Sequence, residues 1–146
     1  MVCVYCGSET EVTNTRSRAR LPSVWRRRQC KACVAQFSTI EAADLGGSYL
    51  VTYGDGGTAP FQRDVLFVSI MDALKHRPDN VTAAGALADT VIGTLLKSAR
   101  SSRSSVQRGR FTTHDIATAA HQVLRRFDTF GAASYKAFHQ AALKLS

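Results

Sequence analysis

A chain of 146 residues has room for one ordinary core, or for a small metal-held module plus a core of about a hundred residues. No apolar run approaches the roughly 18 residues that a membrane-spanning helix needs, which predicts no membrane partner. The net charge of +8 and pI of about 9.8 point to a polyanion, and residues 1–40 hold seven Lys/Arg against two Glu, so the positive charge is concentrated at one end.

The N-terminal segment carries all four cysteines as two CxxC pairs, Cys3/Cys6 and Cys30/Cys33. Each CxxC turn aims two thiolates at one point, and two such turns close the tetrahedral shell that structural Zn²⁺ prefers. Leu21, Val24, Trp25 and Phe37 are almost the whole core available to this segment, so metal binding would also supply its folding free energy. Gly7 after the first pair suits a tight knuckle, whereas Val34 stands at the same place after the second. Disulfides are the competing reading, but Met1-Val2-Cys3 lacks the basic and apolar regions of a secretory signal, which predicts a cytoplasmic protein. A redox dithiol would open a helix after a buried strand, and neither pair has that setting.

Between the pairs, Arg16, Arg18 and Arg20 alternate along an expected strand or extended loop, which puts them on one side. Arg26-Arg27-Arg28 run into the second pair, followed by Lys31. Fixed by the metal, these guanidinium forks would meet phosphates and guanine edges. Trp25 reads as a core plug. Stacking aromatics are few, so double-stranded DNA is the expected partner ahead of RNA.

A second module begins near Glu41, after which Gly46-Gly47 marks a break. Residues Ser48 to Tyr53 alternate as a strand, Gly54-Asp55-Gly56-Gly57 makes a turn, and Thr58 to Pro60 completes a hairpin. The period then becomes helical. Phe61, Val65, Leu66, Ile70 and Leu74 share a face that ends at Lys75-His76-Arg77 and Pro78. Asp79 would cap a helix lined by Ala83, Ala84, Leu87, Val91, Leu95 and Leu96. Ser98 to Gly109 is Ser/Arg-rich and reads as a loop or frayed end. Thr112 or Thr113 caps a helix with Ile116, Ala120, Val123, Leu124 and Phe127 inward, and Asp128 or Thr129 opens a last one with Ala132, Tyr135, Phe138, Ala142 and Leu145 inward. The expected fold class is α+β: a Cys₄ zinc ribbon over residues 1–42, then a β-hairpin packed on about four helices over residues 48–146.

This order resembles the bacterial NrdR family, the zinc-ribbon and ATP-cone repressors of ribonucleotide reductase genes. The resemblance rests on Cys3-Val4-Tyr5-Cys6-Gly7, Arg26 to Cys33, Phe37-Ser38-Thr39 with Glu41, Asp55-Gly56, Pro60-Phe61, Arg63, Lys75 to Pro78, Phe111-Thr112-Thr113 with Ile116, and Asp128. It implies an ATP-cone domain that binds ATP or dATP and changes oligomeric state, a homo-oligomer, and an operator on double-stranded DNA. The nucleotide-site positions it implies are Val51, Tyr53, Gly56, Phe61, Arg63, Lys75 and Arg77. The chain departs from the family pattern where Tyr53-Gly54 replace two cations before Asp55-Gly56, and where Val65 replaces a lysine.

No catalytic set is visible: His76, His114, His121 and His139 are scattered, none beside an evident nucleophile, so the chain reads as a non-enzyme. His114-Asp115 reads as helix-capping chemistry. Two alternatives stand beside the regulator: a nucleic-acid-binding ribbon whose second domain is a ligand-free dimeriser, and a nucleotide-binding regulatory subunit of a reductase enzyme.

Overall fold

The computed structural model describes residues 1–18, 21–101 and 109–144, in two compact units divided between Ala43 and Asp44. Arg20 and Leu145, and residues 102–108 of the Ser/Arg-rich stretch, lie outside the described residues.

The first unit is an antiparallel sheet of β1 (Thr10–Arg18), β2 (Ser23–Cys30) and β3 (Gln36–Ala42), with β2 central. Its strands interleave Thr, Val, Trp, Phe and Ile, which suit a pleated surface, with five arginines. The register slips between Val12 and Asn14, which pair with the adjacent Arg28 and Arg27. Thr13 is therefore a β-bulge, and its hydroxyl donates to the Arg27 carbonyl at 3.3 Å. Cys3 and Cys30 alone among the unit's described side chains are buried, at 3% and 2% exposure. Leu21, Val24, Trp25 and Phe37, the expected core, are only half-buried. The thiol cluster therefore occupies the place of a core.

The second unit pairs β4 (Leu50–Thr52) with β5 (Thr58–Pro60) across the expected turn, where Gly56 takes a φ of 86°. A third strand, β6 (Arg110–Thr112), lies parallel to β4 on its other side. Three residues are too short to show a period in the sequence, and parallel pairing needs the long crossover that the intervening helices provide. Phe111 anchors it, stacked on Tyr49 at 4.6 Å and edge-on to Phe61 at 5.8 Å.

Five helices complete the described part of the unit: α1 (Arg63–Ala73), α2 (Asn80–Ser101), α3 (Thr113–Phe127), α4 (Thr129–Phe138) and α5 (Gln140–Leu143). The inward stripe of α2 is as expected, widened by Ala88 and Ile92, and the helix runs through Ser98 to Ser101, where a loop was expected. The start of α3 is a capping box: Thr112 Oγ1 accepts the Asp115 N–H, and the Asp115 carboxylate accepts the Thr112 N–H.

Several expected positions differ. Phe61 precedes α1 rather than opening it, and Val65 points away from the buried Leu66–Ile70 stripe, 63% exposed. Lys75 to Arg77 lie in a turn beyond the end of α1, so their charges do not complement its last turn. Phe127 and Phe138 are exposed; Phe127 is instead covered by the Arg77 guanidinium, 4.9 Å from its ring centre. The last helix is broken at His139, which splits it into α4 and α5.

Asp128 ties these ends together. Its N–H bonds the Leu124 carbonyl at the end of α3, and its Oδ1 accepts the Gly131 N–H as the cap of α4. Oδ2 accepts from Arg77 Nη1 and lies within bonding distance of His76 Nε2, both at 3.1 Å. The Gly131 N–H, more than the two cationic partners, holds its carboxyl down to about 2.

Candidate metal centre, nucleic-acid face and ligand pocket

The two knuckles bring Cys3, Cys6, Cys30 and Cys33 together with all four sulfurs within 4.8 Å of one another. Cys6 Sγ lies 3.4 Å from Cys33 Sγ and 3.5 Å from Cys30 Sγ, and Cys3 Sγ lies 3.7 Å from Cys33 Sγ. A tetrahedral shell with Zn–S bonds of about 2.3 Å spaces its sulfurs about 3.8 Å apart, so the cluster has the dimensions of a zinc shell. The sulfurs are not bonded to each other.

Backbone amides finish the ligand environment. Tyr5 N–H points to Cys3 Sγ, and the Ala32 and Cys33 N–H groups point to Cys30 Sγ, each at 3.4 Å. The Ser8 N–H and hydroxyl favour the Cys6 thiolate and bring that thiol down to about 6. The Ala35 N–H favours the Cys33 thiolate as well, but the crowding of Cys6 and Cys30 outweighs it and pushes Cys33 up to about 12. Four thiols this close do not all ionise without a cation among them, and a divalent metal is the group that this donor set fits. Gly7 and Val34 close the knuckles at φ of 75° and 61°. The valine thus occupies a left-handed conformation that a β-branched residue rarely adopts.

Strand alternation divides the arginines. Direct cross-strand partners share a face, so Arg16, Trp25, Arg27, Gln36 and Ser38 lie on one side of the sheet, and Val24, Arg26, Arg28, Phe37 and Glu41 on the other. On the second side Arg26 Nε is ion-paired to Glu41 at 2.8 Å and Arg28 Nη1 bonds Thr10 Oγ1 at 3.3 Å. On the first side Arg27 is held by the neutral Gln36 amide at 3.1 and 3.2 Å, and the Arg16 guanidinium lies 5.7 Å from the Trp25 ring centre. Neither has a carboxylate partner among the described residues. Arg18 closes the β1–β2 pairing opposite Ser23, and Lys31 pairs with Glu9 at 3.4 Å.

In the second unit a cavity of about 350 Å³ opens between the β4–β5 hairpin, α1, α3 and the α4–α5 corner. Val51, Tyr53 and Phe61 line it, joined by Val65. The other residues implied for nucleotide binding are not in the lining. Gly56 is in the hairpin turn and Lys75 is exposed beyond α1. Arg63 is committed to Asp89 at 2.7 Å and to the Gly85 carbonyl, and Arg77 to Asp79 and Asp128. The cavity also holds a pairing that the sequence concealed: Ser69 Oγ lies 2.8 Å from His139 Nε2, 70 residues apart along the chain. No carboxylate orients that imidazole among the described residues, and burial lowers its proton affinity, so it is a neutral polar pair rather than an activated nucleophile.

Residues 1–41 match the family described as "Transcriptional repressor NrdR-like, N-terminal domain". Three similar relatives carry the name "Transcriptional repressor NrdR". The chain is 34% identical to the Symbiobacterium thermophilum protein over 91 residues, 62% of this chain and 60% of that one. It is 42% identical to the Gluconobacter oxydans protein over 79 residues, 53% of this chain and 47% of that one. These two matches span less than two thirds of the relatives' lengths. The match to the Chromobacterium violaceum protein is broader, 30% identity over 139 residues, 94% of this chain and 88% of that one. A four-sulfur ribbon followed by a mixed α+β unit thus lies within a match that runs along nearly the whole length of a relative, and the chain belongs to the NrdR family.

Proposed function

We propose that the protein is a zinc-dependent DNA-binding repressor of ribonucleotide reductase genes, acting in the cytoplasm as a homo-oligomer whose assembly responds to ATP or dATP. The observation that carries the DNA part is the division of the arginines. Arg16 and Arg27 share their face with Glu11, but neither is ion-paired among the described residues, whereas Arg26 on the opposite face is held by Glu41. A guanidinium not already held by a carboxylate is the readier to bind phosphate, so the Arg16–Arg27 face is the one to meet the duplex. Zinc holds the three strands in that arrangement. The relatives' shared name supports a regulator rather than an enzyme.

Titration of an operator fragment at several salt concentrations tests this. Arg27→Ala is expected to weaken binding and lower the salt slope by about 1, while Arg26→Ala changes it much less. Equal losses from both variants would remove the assignment of the face.

A second reading has an observation of its own. The nucleotide-site cations expected in the second unit are engaged elsewhere, Arg63 with Asp89 and Arg77 with Asp79 and Asp128. This favours a ligand-free dimeriser over a triphosphate sensor. Light scattering with and without ATP and dATP separates them: a nucleotide-dependent mass supports the sensor, and an invariant oligomer supports the dimeriser.

A further inference from the structure

We propose that the cavity between the hairpin and the helices is selective for the uncharged part of an adenine compound, its base and sugar, and takes little or no affinity from phosphate groups. The inference rests on the adenine-sensing reading above and narrows it to a nucleoside-class ligand.

Four observations carry it. First, none of the lining residues is Lys, Arg, Asp or Glu. Second, its one titratable imidazole, His139, is kept in the neutral form by burial and bonded to Ser69. A phosphate entering this site would leave water without gaining a cation, which is unfavourable. Third, about 350 Å³ is near the small end of the roughly 300–1,000 Å³ typical of ligand sites, a better match to a nucleoside than to an extended triphosphate. Fourth, the lining has polar groups that no described side chain or backbone group engages: the Gln62 amide, exposed at the mouth and not capping α1, and the Tyr53 and Thr113 hydroxyls. An amide's paired donor and acceptor match the adenine edge formed by N6–H₂ and N7. The apolar walls, among them Phe61, Tyr53 and Val51, suit a planar ring.

Val65 provides a constructive test, because it lines the cavity yet is 63% exposed, so a longer side chain is tolerated at the mouth. Calorimetric titrations of the full-length zinc-loaded protein with adenosine, deoxyadenosine, ATP and dATP are expected to give nucleoside and triphosphate affinities that differ by less than about tenfold and barely respond to salt. Val65→Lys is expected to tighten ATP by about tenfold relative to adenosine, with new salt sensitivity for ATP alone. Gln62→Ala is expected to weaken adenosine and ATP alike. ATP binding at least tenfold tighter than adenosine in the unaltered protein overturns the inference and leaves adenine sensing intact, as does a Val65→Lys protein whose ATP affinity does not move relative to adenosine. If none of the four compounds binds, the sensing reading itself falls, and this inference with it.

Discussion

The two units solve the same problem with opposite means. The second buries a conventional set of side chains, with Ile70, Leu74, Ala84, Val91, Ala120 and Leu124 fully removed from solvent. Each of the larger aliphatic side chains is worth about 1.5–3 kcal/mol of transfer free energy, so the unit's stability is spread over many contacts. The ribbon has no comparable reserve, since its buried side chains among the described residues are two of the cysteines themselves. Its stability is concentrated at one point, and its sheet is left free to expose cations rather than cover them.

Removing the metal is the sharpest way to break that comparison. Structural zinc in small domains is bound with about 10–16 kcal/mol of apparent free energy, so a chelator or Cys30→Ser is expected to unfold the ribbon outright. Trp25 fluorescence should shift to that of a solvated indole while far-ultraviolet dichroism keeps the helical signal of the second unit. Loss of both signals together would show that the two units do not fold separately.

Next in size is overpacking of the second unit's core. A Cβ placed on Gly131 falls 2.7 Å from Leu74 Cδ2, and Leu74 is fully buried. Gly131→Ala is expected to cost about 1–3 kcal/mol, read as a lower melting temperature of the helical signal with zinc content unchanged. Asp128→Ala should cost a similar or slightly smaller amount, about 0.5–2 kcal/mol for the α4 cap, and it also deprives His76 and Arg77 of their shared carboxylate.

Acid separates the units in the same order. The Asp128 carboxyl is held at about 2 against an ordinary 3.8, so its contribution is present above the ordinary value and disappears as pH falls from about 4 through 2. Thiolate ligands take up protons at higher pH than that. Zinc release followed with a chromogenic chelator is therefore expected to precede any acid loss of helix that Asp128→Asn abolishes.

The smallest effect sharpens the comparison from the ribbon's side. Val34→Gly removes a left-handed valine, exposed and so with little packing to forfeit, and is expected to stabilise the metal-bound ribbon by about 1 kcal/mol. Slower zinc transfer to a competing chelator would register it.

The metal centre was legible because CxxC spacing is local chemistry, and α2 and the capping of α3 because period and capping residues are local as well. What escaped the sequence depends on distant partners. β6 exists because Phe111 meets Tyr49 and Phe61, and Phe127 finds its cover in Arg77 rather than in the core. The Ser69–His139 pair and the engagement of Arg63 by Asp89 are likewise products of helix packing. In the ribbon, a run of three arginines looked like one basic cluster, yet a strand turns neighbours to opposite faces and divided it. The split at His139 has no cause that the periodicity of the last segment discloses.

The bulge at Thr13 gives that division its sign. Pairing advances by two residues in β1, Val12 to Asn14, while β2 steps back by one, Arg28 to Arg27. Were Thr13 paired with Arg27 rather than bulged, Arg16 would face Val24 and emerge beside Arg26 and Arg28, away from Arg27. One threonine thus acts as a half-period phase shift in the charge pattern of the sheet. The same composition and fold can therefore present its cations from either side, according to whether a single uncharged residue is bulged or paired.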